Sequence, residues 1–88
     1  AAEEVALTVD RIDMRTEPES ICRQTFNGAC VDRVNVIATV CTITSRDGER
    51  FKTSQALCDT VSTGSSVRAT VTGVNALGNL RRIERIQR

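Results

Sequence analysis

The chain lacks histidine, tryptophan and tyrosine, and has one proline (Pro18) and one lysine (Lys52) among its 88 residues. Without histidine, the usual general base near neutral pH is missing. Glu17/Glu19 and Asp47/Glu49 remain as acidic pairs, but each reads first as a turn or edge charge, so the composition points away from an enzyme. Phe26 and Phe51 are the only aromatic residues. Single-strand nucleic-acid binders rely on aromatic platforms worth about 1–3 kcal/mol per stacked base. A net charge of +1 adds little counterion release, so nucleic acid is an unfavoured partner. No apolar run exceeds three residues, as in Val36-Ile37-Ala38, far below the ~20 needed to cross a bilayer. No membrane span is expected. No asparagine is followed two positions on by Ser or Thr, so there is no N-glycosylation acceptor, in keeping with a bacterial exported protein.

Four cysteines are present: Cys22, Cys30, Cys41 and Cys58, spaced by 8, 11 and 17 positions. A structural zinc site needs close ligand pairs, and a redox centre needs a CxxC arrangement to lower a thiol pKa. Neither spacing occurs, so no metal and no cofactor is expected. Two disulfides in a secreted or periplasmic protein fit the pattern. The opening Ala1-Ala2-Glu3-Glu4 is what signal-peptide removal leaves behind, although a trimmed piece of chain looks the same. Of the three possible pairings the expected elements favour Cys22–Cys30, closing a loop after the first strand, and Cys41–Cys58, tying a central strand to a helix. The other two pairings stay open. Loops of about 9 and 18 residues would contribute roughly 2.5–3 kcal/mol each in a chain-entropy treatment.

The length predicts one domain over residues 1–88, all β with a little helix. Val5, Leu7 and Val9 alternate with polar neighbours, and the alternation then slips by one to Ile12 and Met14. That slip predicts a β-bulge. Glu17-Pro18-Glu19-Ser20 reads as the strand's end, and the polar stretch to Cys30 as a loop with a turn at Asn27-Gly28. Val34 to Ile43 is apolar on both faces and reads as a central strand covered on both sides. Asp47-Gly48 predicts a hairpin into a third strand from about Glu49 to Thr53. Gln55 to Val61 suits one or two helical turns, with Gly64 as terminator. Val67, Ala69 and Val71 mark a fourth strand, and Gly73 to Asn79 is a turn-rich connection. Leu80 to Arg88 reads as a fifth strand that needs a second bulge between Ile83 and Ile86.

This order resembles the oligonucleotide/oligosaccharide-binding (OB) superfamily, a five-stranded Greek-key barrel with a short helix between strands three and four. The stretch from Asp47 to Arg88 (DGERFKTSQALCDTVSTGSSVRATVTGVNALGNLRRIERI, without the last two residues) is similar to two secreted OB families. These are the receptor-binding B subunits of Shiga-type toxins and a set of small periplasmic OB proteins ending in paired "GxV…RxI…I" strands. The N-terminal half departs from both. The scarcity of aromatics also departs from the sugar-stacking sites of the toxin subunits.

The resulting expectation is a non-catalytic exported binding domain for a protein or glycan, working as a homo-oligomer or as a subunit of a larger secreted complex or toxin. Its contacts are expected from the 16–31 and 74–79 loops and from Arg33, Asn35, Arg50, Lys52, Arg68, Thr70, Asn75 and Asn79. Two alternatives remain: a single-stranded nucleic-acid binder, and a small inhibitor or effector inserting Thr25-Phe26-Asn27 into a target.

Overall fold

Alternating apolar residues in five segments give five strands, β1 (Glu3–Phe26), β2 (Ala29–Ser45), β3 (Arg50–Ser54), β4 (Ser66–Thr72) and β5 (Arg81–Gln87), with α1 (Gln55–Cys58) after β3. The computed structural model describes residues 2–74 and 79–87. The strands form one sheet in the order β1-β2-β3-β5-β4 that closes on itself, β1 pairing with β4 from Glu3 to Thr8. All contacts are antiparallel except β3–β5, where Phe51 and Lys52 run alongside Arg81 and Arg82. Inside the ring sit Leu7, Val9, Cys41, Ile43, Phe51, Val67, Ala69, Val71 and Ile83, all buried.

The two bulges of the ring occur where the apolar alternation slips. Val9 faces Ser45 and Arg11 faces Thr44, leaving Asp10 as the extra residue on β1. Thr70 faces Arg85 and Val71 faces Ile83, leaving Glu84 extra on β5. Each bulge bends its strand around the core. Thr53, buried between β2 and β5, donates its hydroxyl to the Ile83 carbonyl at 3.0 Å and so ties the parallel contact. Arg81 closes the ring's charged seam. Its guanidinium lies 2.6 Å from Glu49 and 3.2 Å from Glu3, and 5.5 Å from the Phe51 ring centroid.

The expected disulfides are present. Cys41–Cys58 anchors α1 against β2, and Cys22–Cys30 links β1 to β2 beyond the ring. All four thiols are consumed, so none remains as a zinc ligand. The helix is shorter than the 55–61 expectation, ending at Cys58 with Ser54 as its N-cap; Gly64 lies beyond it, at a φ of 92°.

Two expectations are corrected. Pro18 does not end β1, which runs on to Phe26, and the 16–31 "loop" is a strand pair whose only turn is Asn27-Gly28. A proline is tolerated in a strand when its missing N–H faces an unpaired edge, and β1 has no partner besides β2 from Val9 onward among the described residues. Val34–Ile43 lies within β2, but it is not covered on both sides: Ile37 is 73% exposed. Only its last part, Cys41 and Ile43, enters the ring. Both corrections have one cause. The β1–β2 ladder outruns the ring and continues as a two-stranded arm.

Candidate interaction surface

The arm consists of residues 15–26 of β1 against 29–40 of β2, paired from Arg15↔Val40 to Phe26↔Ala29 with two offsetting register shifts beside Gln24. It draws the molecule out to 44 Å along one axis against 27 and 26 Å across. At its end Asn27 and Gly28 both have positive φ, 52° and 78°, as the tightest hairpin turn requires; asparagine and glycine are the residues that adopt it at least cost. Behind the turn the Cys22–Cys30 disulfide holds the strands together, and Arg23 bridges to Asp32 at 2.9 Å. At the root, Lys52 of β3 lies 3.7 Å from Glu17, over a cleft of about 330 Å³ that Ala38, Val40 and Arg82 also line.

The arm carries most of the exposed apolar surface. Of six exposed large apolar side chains among the described residues, Ile21, Phe26, Val31 and Ile37 lie on it and Met14 stands at its root. Only Val74 lies elsewhere. The pairs Pro18↔Ile37 and Ile21↔Val34 put Ile37 on one face of the arm and Ile21 on the other, so apolar surface is exposed on both faces of a projecting element, as where another molecule covers it. The arm's charges cancel: Arg15, Arg23 and Arg33 against Glu17, Glu19 and Asp32.

The residues expected to bind do not form one patch. Arg33 and Asn35 are exposed on the arm, with Arg33 Nη1 3.5 Å from the Ser20 hydroxyl. Arg50 and Lys52 lie on β3 beside the root, and Lys52 is engaged by Glu17. Arg68 and Thr70 lie on β4, which β5 separates from β3. There Arg68 borders a shallow groove with Ala6, Thr8, Ser66 and Gln87. Asn79 is exposed before β5, and Asn75 lies outside the described residues. Thus Arg33 and Asn35 join the arm surface, while Arg50 with Lys52 and Arg68 with Thr70 belong to two further faces. Ile21 and Val31 lie within the expected 16–31 contact segment but were not singled out, and Ile37 was not anticipated as a contact. Their available signal was an Asn-Gly turn between two linked cysteines, which implies paired strands on either side.

One charged turn shapes the opposite end. The Ser45 hydroxyl and the Glu49 backbone N–H both bond to the Asp47 carboxylate, and hold its pKa below the usual carboxylate range. No protein-family model, curated protein or solved structure matches the chain.

Proposed function

We propose that this chain is an exported, non-catalytic binding module with an OB-type scaffold, and that its disulfide-closed arm engages a protein partner. The strand order, the single parallel β3–β5 contact and the helix between β3 and β4 support the OB-type reading. Two disulfides support an oxidising compartment. The observation that carries the functional reading is the concentration of exposed Ile21, Phe26, Val31 and Ile37 on a projecting element of zero net charge. Such a surface suits protein contact. A phosphate backbone asks for a basic groove with several aromatics, and a sugar asks for aromatic faces; the arm offers one phenyl ring. The inhibitor reading is a special case in which the Phe26 tip enters a target's cleft.

The test is affinity recovery from the exported fraction of the organism that makes the protein. Wild type is compared with a variant carrying Ile21→Asp and Phe26→Asp, both exposed positions whose change leaves the ring core untouched. A specific partner retained by wild type and lost by the variant is the expected result. Equal retention would overturn the arm reading. Salt-sensitive binding of a labelled single-stranded oligonucleotide, read by fluorescence anisotropy, would return the nucleic-acid alternative to the front.

A further inference from the structure

The two long edges of the arm are not equivalent. Residues opposite one another in an antiparallel pair alternate between exchanging both main-chain bonds and exchanging none. Pro18 stands opposite Ile37 and has no N–H to give, so that pair is of the second kind. The backbone groups of Thr16, Pro18 and Ser20 therefore point off the outer edge of β1, and those of Asn35, Ile37 and Thr39 off the outer edge of β2. The same parity holds at the ring, where the Ser45 N–H bonds away from β1 to the Glu49 carbonyl at 2.8 Å. The two register shifts beside Gln24 cancel: Cys22 faces Arg33 and Thr25 faces Cys30, three residues on along each strand. The alternation is interrupted between them, where Arg23 and Val31 have no direct partner across the ladder, and resumes at Cys30 and Ala29.

The β1 edge is guarded. Its central outward position is Pro18, flanked by Glu17 and Glu19, a combination that blocks strand addition. The β2 edge carries no such device. From Val34 to Thr39 it reads VNVIAT, with every N–H present and no charge. This edge is open from Ala29 to Thr39, because β3 occupies it from Val40 onward.

We propose that the open β2 edge pairs with the same edge of a second copy of this chain, joining two arms into a four-stranded antiparallel sheet. A second copy is the occupant that the geometry itself specifies. The open edge is 11 residues long with Val34 at its centre, so full antiparallel overlap about a two-fold axis sets Val34 against its own counterpart. In that register Val31 lies opposite Ile37 of the second copy, and Ile37 opposite its Val31. The most exposed apolar side chains of the strand, 58% and 73% exposed, cover one another. Asp32 meets Val36 and Arg33 meets Asn35, so no like charges face each other. About ten main-chain bonds would form, the number typical of a stable interface. In that register the second copy's Asn27-Gly28 turn falls opposite Val40 and Cys41, where β3 takes over the edge and ends the pairing. The inference goes beyond the binding reading: it uses the edge of the arm together with Val31 and Ile37, and leaves Ile21 and Phe26 to a partner.

The test is sedimentation of the oxidised protein over about a hundredfold range of concentration. Wild type should reach twice its 9.6 kDa chain mass. Ile37→Pro removes one outward N–H, copies what Pro18 does on the other edge and should give a monomer. In case that variant folds poorly, paired charges at Val31 and Ile37 test the register independently. Val31→Lys with Ile37→Lys creates two like-charge pairs and should weaken self-association about tenfold or more. Val31→Lys with Ile37→Glu removes the same apolar groups but restores attraction, and should return to within about threefold of wild type. A wild type that stays monomeric throughout overturns the proposal, as does a dimer on which the two charge combinations act alike. Failure here leaves the Ile21 and Phe26 partner test standing, and failure there leaves this one standing.

Discussion

Removing the Cys22–Cys30 disulfide should loosen the arm and leave the ring intact. The two cysteines close a loop of nine residues, and the chain-entropy relation assigns that closure about 2.6 kcal/mol. At 1.4 kcal/mol per decade this is about 70-fold in an opening equilibrium. A two-stranded ribbon is at best marginally stable in water, so the loss falls first on the arm. Once the arm is open, the ring unfolds from that state with its own free energy unchanged. Amide hydrogen exchange of dilute protein carrying Cys22→Ser and Cys30→Ser should therefore show about 70-fold less protection at the arm amides that bond across the ladder, such as Glu17, Glu19, Val36 and Ala38. Ring amides at Cys41, Ile43 and Phe51 should keep theirs, and the ring's melting midpoint should move by less than about 2 °C. Removing Cys41–Cys58 is the control. It closes 18 residues against the core, worth about 3.2 kcal/mol, and its loss should lower the midpoint by about 13–25 °C. If the Cys22–Cys30 variant destabilises the ring as much as the control does, the separation of arm from core is wrong.

Thr53→Val keeps the volume but leaves the buried Ile83 carbonyl without its 3.0 Å donor, and should cost about 1–3 kcal/mol in denaturant unfolding. An unchanged midpoint would mean that β5 is held some other way. Asp47 has its pKa lowered in the folded state by the Ser45 hydroxyl and the Glu49 N–H, so it stabilises the hairpin above the unfolded value near pH 4, and that support fades as pH falls through the lowered folded value. Stability curves of wild type and Asp47→Ala should accordingly differ above about pH 4 and converge under strongly acidic conditions; parallel curves would contradict this. Arg81→Gln should lower stability by about 1 kcal/mol at low salt, with a smaller effect in concentrated salt, since it breaks the bridges to Glu49 and Glu3. Thermal melts at two ionic strengths measure both.

Much of the ring was legible in residue order. The slips after Val9 and between Ile83 and Ile86 located both bulges, and Asp47-Gly48 located the hairpin. The expected positions of the loop after β1, the central strand and the helix favoured the cysteine pairing that is present. The arm was misread because two local signals depend on what lies alongside. Pro18 ends a strand only if a neighbour needs an N–H at that position, and no spacing shows that β1's far edge is vacant there. Val34 to Ile43 looks doubly covered because its second apolar face has the composition of a core, whereas Ile37 stands in the open. The scatter of the expected binding residues has a similar origin. Arg50 and Arg68 are close in sequence order of strands, yet β5 comes between β3 and β4 once the sheet closes.

The account assigns scaffolding to the ring and recognition to the arm, and one shortened chain separates the two. Residues 16–39 are replaced by a two-residue Asn-Gly turn joining Arg15 to Val40, which face each other directly across the ladder. Cys41–Cys58 and every buried ring residue are retained. Cooperative thermal unfolding together with loss of the partner that the full chain retains is the predicted result. Partner binding that survives in the shortened, folded protein would contradict it.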